Sequence, residues 1–293
     1  MNAQAELAEH FDRTRAHLRA VAYRMLGSAD EADDAVQETW LRAARADAGE
    51  VANVPGWLTT IVGRICLDML RARGRRDEHL VESERFDQVS VHDGDPADEA
   101  VLADSVGLAL LVVLDTLSPA ERVAFVLHDL FSVPFGEIGQ IVERSPATAK
   151  KLASRARQRV NGTPVLPAAD HARQRRLVAA FLAAARAGDL QALLAVLAPD
   201  VLHRSDLPGS AGERRGARSV AEGTLAGADG ARLAGVLLVD GVPGIGVLRE
   251  GRLFLVLRVT ADGDRITGIE IVSEPARLAA LGLALDEGVS PAA

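Results

Sequence analysis

The hydrophobic pattern divides the chain into a helical first half and a second part that mixes helices with strands. Apolar residues recur at helical spacing up to about residue 76, and again between 106 and 160. Two short helices are predicted at about 173–187 and 189–197, followed by short apolar runs separated by turn residues. The predicted strands are 201–204, 235–239, 246–249, 253–260 and 266–273, with hairpin turns at 250–251 and 261–264. The pattern predicts two all-α segments and a C-terminal α+β domain.

Capping signals place the starts of several helices. Ser28 is followed three residues later by Glu31, and Ser118 by Glu121, which is the spacing of a capping box. Pro55 suits the first turn of a further helix. A short helix at 135–142, a tight turn at 143–145 and a last helix at 146–160 predict a helix-turn-helix.

These elements predict a multidomain chain. The expected parts are an all-α segment at 1–76, an acidic linker at 77–105, the helix-turn-helix segment at 106–162, a second linker at 163–172, the α+β domain at 173–285 and a tail at 286–293.

Charge is spread unevenly along the chain, whose net charge is −8. Residues 77–106 hold ten acids and one base, a local charge of −9, whereas residues 107–162 hold seven bases and five acids. Local charge is therefore the useful quantity, and the acidic total does not exclude nucleic-acid binding. The single cysteine excludes an intramolecular disulfide and a multi-cysteine metal site. We find no signal peptide and no apolar run of about 20 residues, so a cytoplasmic location is expected.

The helix at 146–160 has the two faces that a recognition helix needs. Small apolar residues such as Ala149 and Ala153 form an inward stripe, and basic and hydroxyl side chains lie on the other side. The predicted DNA-contacting residues are Ser145, Thr148, Lys150, Lys151, Ser154, Arg155 and Arg157.

The helix that begins near Ser28 is unusually acidic. Asp30 and Glu31 lie in its first turn, where acids complement the helix dipole. Asp34 and Glu38 lie deeper. Two interpretations stay open for them, a solvated face or a docking surface for a basic partner.

A third candidate region covers residues 47–76. Asn53 precedes the helix, where it could cap it or hydrogen-bond a base, and Trp57 lies on the apolar face, where tryptophan more often fills a core than stacks on a base. Cys66 is most simply a small buried residue. The arginines that could hold phosphates of a DNA strand are Arg64, Arg71, Arg73, Arg75 and Arg76.

Three stretches together resemble extracytoplasmic-function sigma factors of RNA polymerase. Residues 23–41 resemble region 2, residues 55–58 and 63–70 its promoter-melting part, and residues 117–122 with 153–157 resemble region 4. The resemblance implies that the acidic helix docks on the β′ clamp, that 47–76 opens and reads the −10 element, and that 145–160 reads the −35 element. It implies a β flap contact, and an acidic linker in the RNA exit path. The implied polymerase-binding residues are Asp33, Asp34, Gln37, Glu38 and Trp40.

The segment after residue 170 is similar to the SnoaL-like (NTF2-like) extension of SigJ-type sigma factors. The resemblance implies an extension that contacts the sigma domains and tunes their activity. Two motifs of that group are absent. Residues 77–90 lack Trp-Leu-Pro, and residues 205–210 read Ser-Asp-Leu-Pro-Gly-Ser where the group has Asp-Gly-Gly-Gly-Lys. The sign of the effect is left open.

Other functions remain as alternatives. His203, Asp206 and Asp240 are the obvious acid/base candidates of the tail, but their spacing matches no catalytic dyad, and we expect no enzyme activity, cofactor or metal. A ligand-sensing pocket in the tail is a second alternative. A helix-turn-helix repressor is the third, and it would leave the acidic helix without a role.

Overall fold

In the computed structural model of the protein, residues 3–46, 51–79, 105–210 and 212–286 are described. They fall into two units. The N-terminal unit contains the described residues up to 79 together with Leu117–Gln158, and the C-terminal unit contains 105–116 together with the described residues from Arg159 onward. The predicted acidic linker lies outside the described residues except at its two ends, and so does all but the first residue of the predicted tail.

The described part of the first half of the chain is helical, as predicted. Its helices are α1 (Ala3–Leu26), α2 (Ala29–Arg45), α3 (Val54–His79), α4 (Ser105–Asp115), α5 (Pro119–Phe125), a π-helical turn (Val126–Leu130), α6 (Phe135–Ile141) and α7 (Pro146–Val160). The amide of Glu31 donates to Ser28 Oγ at 3.4 Å, and the amide and hydroxyl of Ser118 donate to Glu121 Oε2 at 3.3 and 2.7 Å. The capping box at Ser118 is confirmed, whereas Ser28 makes the N-cap bond without the reciprocal bond from Glu31.

The N-terminal unit is built around α3. This helix packs against α1 and α2 and also against α5 and α6. Leu58, Val62 and Cys66 of α3 are fully buried. Gly63 allows close approach to the helix-turn-helix, since a Cβ atom there would lie 3.1 Å from Ile141 Cδ1. The predicted −10 helix and the predicted helix-turn-helix therefore share one packed unit.

The C-terminal unit is an α+β domain with one mixed sheet. Its further elements are β1 (Asn161–Gly162), α8 (Ala168–Ala187), α9 (Leu190–Val196), β2 (Leu197–Ser205), β3 (Gly212–Arg215), α10 (Ala217–Ala226), α11 (Ala228–Ala231), β4 (Ala234–Val239), β5 (Val242–Arg249), β6 (Arg252–Asp262), β7 (Arg265–Val272), α12 (Pro275–Ala280) and β8 (Leu283–Asp286). The strand order is β1-β8-β4-β5-β6-β7-β2-β3, and only β1–β8 and β2–β7 pair in parallel within the described sheet.

Each face of this sheet is covered by helices at its centre. Ala234, Ile245 and Val247 point toward the apolar cluster that contains Phe181 of α8 and Leu193 of α9. Side chains alternate along a strand, so the neighbouring residues of β4 and β5 face the other way. That outer face carries α4, which contacts β4, β5, β6 and β8.

The position of α4 differs from the predicted domain division. Residues 106–162 were predicted to form one helix-turn-helix segment. In the structure, α4 packs with the C-terminal sheet, whereas α5 and α6 pack with α3. The strands β1, β3 and β8 were not predicted, because two to four residues carry too little alternation to be recognised. Among the described helices, none is long and apolar enough to cross a membrane.

Candidate nucleic-acid and partner interfaces

The helix-turn-helix depends on a glycine at its turn. A Cβ atom on Gly139 would lie 2.8 Å from the carbonyl oxygen of Arg144, so only glycine fits without movement of the turn. The amide of Arg144 donates to the carbonyl of Gly139 at 2.9 Å, and Glu143 takes a positive φ of 57°. This tight turn sets the direction of α7 relative to α6.

The two faces of α7 match the prediction. Ala149, Ala153 and Ala156 are fully buried. The exposed residues on the other side are Lys150, Lys151, Ser154, Arg155 and Arg157. Ser145 Oγ accepts from the Thr148 amide at 3.2 Å and lies 2.9 Å from its hydroxyl, so these two predicted DNA contacts also cap the helix.

The basic side chains of α7 are not equally available. Arg157 donates through Nε to Asp129 Oδ1 at 2.7 Å, which ties α7 to the π-helical turn, and Arg155 lies 3.8 Å from the buried Glu121. Within the part of the chain that the structure describes, neither Lys150 nor Lys151 has an ion-pair partner. The two lysines are therefore the free cations of this face.

The acidic face of α2 likewise separates into paired and free groups. Arg19 of α1 donates to Asp33 at 2.8 Å, and Arg42 donates to Glu38 at the same distance one turn along the helix. Asp34 and Gln37 are exposed. Asp34 is thus an exposed carboxylate of this face that has no ion-pair partner among the described residues.

An apolar hollow lies beside this acidic face. It has a volume of about 440 Å³ between α1 and α2. The ring of Trp40 packs against Phe11 at 5.1 Å between centroids, and Leu41 beside them is 46% exposed. Trp40 and Gln37 of this hollow were predicted to bind polymerase, whereas Phe11, Arg15 and Leu41 were not predicted. The exposed apolar Leu41 on an acidic helix is the signal that could have found it.

The start and middle of α3 carry three further predicted contacts. Asn53 caps the helix, since its Oδ1 accepts from the Gly56 amide at 3.1 Å. Trp57 is half-buried. Arg64 is exposed and donates to the carbonyl of Gln140 at 3.3 Å, so in this structure it contacts the helix-turn-helix.

The arginines at the end of α3 face in different directions. Arg73 has only 11% of its side chain exposed and donates to Glu31 Oε1 at 3.2 Å and to the Leu26 carbonyl at 2.9 Å. It thus clamps α3 to the α1–α2 junction. Arg75 is exposed and Arg71 lies 3.8 Å from Asp68. The side chain of Arg76 lies outside the described part of the chain.

Cys66 is structural. It is fully buried between α3 and its neighbours, and burial raises the pKa of its thiol to about 12, an effect that the nearby positive charge of Arg122 only partly offsets. A thiol is nucleophilic as the thiolate, so this residue is unreactive at neutral pH.

The three acid/base candidates of the C-terminal unit occupy separate structural roles. Burial, followed by the charge of Arg214, lowers the pKa of His203 in β2. Asp206 accepts from the amide and hydroxyl of Ser273 at 2.6 and 2.7 Å and from Arg277 at 2.6 Å. Asp240 Oδ1 accepts from the Gly282 amide at 2.8 Å and ties the β4–β5 turn to the residue that precedes β8. In the described residues, no group of three or more His, Cys, Asp or Glu side chains could hold a metal ion.

A polar hollow of about 600 Å³ lies on the C-terminal sheet. Arg258 lines it and pairs with Glu270 at 3.3 Å and with Asp240 at 3.7 Å. Arg204 also lines the hollow, so its charged lining residues are two cations and two anions, and their formal charges sum to zero. Its lining combines these charges with apolar side chains such as Val239 and Ile269.

Comparison with known proteins identifies the family. The profile "Sigma-70 region 2" matches residues 10–76, and "Sigma-70, region 4" matches residues 107–160. The chain is 34% identical over 290 residues to the probable ECF RNA polymerase sigma factor SigI of Mycobacterium tuberculosis, covering 94% of this chain and 95% of the relative. The chain belongs to the ECF sigma factors.

Solved structures with similarity include one of the same family. The crystal structure of the Mycobacterium tuberculosis ECF sigma factor SigJ is 31% identical, with 92% of this chain and 97% of that chain covered and a TM-score of 0.45. An NTF2-like protein of Cytophaga hutchinsonii is 15% identical, covers 36% of this chain and 93% of its own length, and has a TM-score of 0.27.

Family membership decides between the alternatives of the sequence analysis. As a sigma factor, the protein binds core RNA polymerase and promoter DNA and initiates transcription, and sigma factors are non-enzymatic. Region 2 comprises α1–α3 and region 4 runs from α4 to α7 in this structure. The repressor and enzyme alternatives are therefore set aside.

Proposed function

We propose that this sigma factor reads the −35 element with α7 and places Lys150 and Lys151 on the DNA phosphates. The exposure of both lysines, with no ion-pair partner in the described residues, is the observation that supports this assignment. Arg157 supports the helix through Asp129, and Ser145 and Thr148 orient its first turn toward the groove. Region 4 as a whole contacts the β flap.

The polymerase-docking face is the surface around Asp34 and Gln37 of α2, with the adjacent apolar hollow. A free carboxylate beside exposed apolar surface suits a partner that presents both a basic and an apolar residue. The partner element in this proposal is the β′ clamp. Polymerase and promoter DNA are cytoplasmic, and we place the protein there.

Reading both promoter elements requires the N-terminal unit to open. The −10 and −35 elements are centred about 25 base pairs apart, which is about 85 Å of B-form DNA at roughly 3.4 Å per base pair. Arg64 of α3 lies 3.3 Å from the carbonyl of Gln140 in α6. The α3–α6 contact therefore belongs to the free protein, and its separation releases Arg64, with Asn53, Arg71 and Arg75, toward the −10 DNA.

The C-terminal unit modulates this activity in our proposal. Most of this unit lies outside the two matched sigma regions. The chain nevertheless covers 95% of the length of the ECF sigma factor SigI, so the similarity extends beyond those two regions. The charge-compensated hollow on its sheet makes packing within the chain, rather than ligand binding, the basis we favour.

Run-off transcription tests the proposal. Core RNA polymerase, the full chain and the DNA upstream of its own gene should give a transcript, and pull-down should recover core enzyme. Lys150→Ala with Lys151→Ala should lower the transcript while core binding persists. Loss of core binding in this double variant would place the lysines on the polymerase instead.

A further inference from the structure

The first helix of region 4 is built into the C-terminal unit. The region 4 profile begins at residue 107, inside α4, yet α4 packs on the outer face of the C-terminal sheet. Every residue from 108 to 114 is at most 1% exposed. A helix that is apolar on all sides belongs to a core and has no face suited to water.

Two glycines shape the seat for this helix. A Cβ atom on Gly235 of β4 would overlap the backbone nitrogen of Ala109 and lie 2.9 Å from its Cα. A Cβ atom on Gly246 of β5 would lie 2.6 Å from Cδ2 of Leu237 in β4 and 2.7 Å from Cγ1 of Val112 in α4. Neither glycine has a positive φ, so space for α4, rather than backbone conformation, accounts for them. The backbones of α4 and β4 therefore pack in direct contact at Gly235.

A hydrogen bond holds the end of α4. Asp115 Oδ2 accepts from the amide of Leu253 in β6 at 2.8 Å. Hydrogen bonds to a charged acceptor are stronger than neutral ones. The chain leaves this point and enters α5 after three residues.

The other end of region 4 is held by the same sheet. The last residue of α7, Val160, is 1% exposed and belongs to the C-terminal unit. Asn161 and Gly162 follow directly and pair in parallel with β8. A Cβ atom on Gly162 would overlap Cβ of Ala284, so this pairing also depends on a glycine.

We propose that the C-terminal unit is a scaffold for region 4, which it grips at α4 and at the end of α7. The inference rests on the proposed function, in which the tail modulates initiation, and gives that effect a sign and a mechanism. Anchoring both ends of residues 117–158 reduces the conformational freedom of the segment between them. The tail therefore supports the helix-turn-helix, and its release weakens promoter recognition.

Gly235→Ala in the full chain tests the seat. The three atoms nearest to the added methyl all belong to the backbone of α4, so we expect the substitution to dislodge α4 first. Gly268→Ala is the matched control, since its Cβ would sit at an ordinary 3.4 Å from Thr260 Cβ in the same sheet. The primary measurement is amide hydrogen exchange of α4 and of α6–α7, without polymerase.

We expect Gly235→Ala to speed exchange at least tenfold in α4 and at least fivefold in α6–α7, with Gly268→Ala within twofold of wild type. Run-off yield should fall at least fivefold in the first variant only. Unchanged exchange in α4 would show that the seat is absent. Faster exchange in α4 with unchanged α6–α7 and unchanged transcription would overturn the scaffold, and increased transcription would make the tail a brake.

Asp115→Ala serves if Gly235→Ala does not fold. It removes the carboxylate that accepts from the Leu253 amide, and we expect a smaller change in the same direction in both helical segments. The proposed function and the scaffold proposal can be tested separately. If the wild-type chain gives no transcript and binds no core enzyme, the proposed function fails, whereas the scaffold is still decided by the exchange rates.

Discussion

Salt dependence distinguishes the two lysines of α7 from its arginines. Each phosphate contact that a cation makes adds about 0.9 to the slope of log affinity against log salt. Lys150 and Lys151 are exposed and free of ion pairs in the described residues, so replacing both with Ala should lower the slope by about 1.8 if each meets one phosphate. Between 50 and 200 mM salt, the affinity deficit of the variant should then shrink by about tenfold.

Arg157→Ala should behave differently. Its guanidinium is held 2.7 Å from Asp129, so its loss unties α7 from the π-helical turn and lowers stability with a smaller change in slope. Fluorescence anisotropy of a labelled promoter duplex with the reconstituted holoenzyme, over a series of salt concentrations, measures both effects. Thermal denaturation of the free protein supplies the stability comparison.

A charge-matched control guards against a general electrostatic effect. Arg204→Ala with Arg218→Ala removes the same two formal charges from the C-terminal unit, where the side chains are 64% and 69% exposed. The slope of this control should stay that of wild type. The assignment is refuted if the lysine variant keeps the wild-type slope, or if the control changes it equally.

Three further predictions follow from individual contacts. Asp34→Arg should reduce recovery of core polymerase at least tenfold in a pull-down, with an unchanged circular dichroism spectrum. Asp30→Arg, in the first turn of the helix, should affect stability more than polymerase binding. Wild-type recovery of core polymerase with Asp34→Arg would show that the docking face lies elsewhere. Arg73→Ala should lower the free energy of unfolding by about 2 kcal/mol, because it removes charge-assisted hydrogen bonds to Glu31 and to the Leu26 carbonyl. An unchanged denaturation midpoint together with weakened DNA binding would show that Arg73 contacts DNA instead. Burial raises the pKa of Asp206, but the hydrogen bonds from Ser273 and Arg277 and the charge of Arg277 outweigh burial and hold that pKa below its usual value. The ionised carboxylate therefore stabilises the fold above the pKa of the unfolded state, and this stabilisation is lost as pH falls through the pKa of the folded state. Asp206→Asn should flatten the acid limb of a curve of stability against pH, and an unaltered limb would contradict this prediction.

The sequence by itself determined the local features of this protein. The caps at Ser28 and Ser118, the basic and apolar faces of α7 and the hairpins of the sheet depend on residues a few positions apart. Hydrogen-bonding side chains and hydrophobic period act over that range, so they can be recognised without a fold. The order of the sigma motifs is also a property of the sequence alone.

Tertiary structure decided which partner each surface meets. Arg73 and Arg75 are two residues apart with the same chemistry, yet Arg73 clamps Glu31 and Arg75 is exposed, because helical geometry turns them to different sides. The helix α4 is apolar on every side, so its sequence requires burial but does not specify the neighbour that supplies it. Gly235 and Gly246 reveal that neighbour only when the strands carrying them are brought against α4. An apolar sequence shows that a helix must be buried, and only the tertiary structure shows which element buries it.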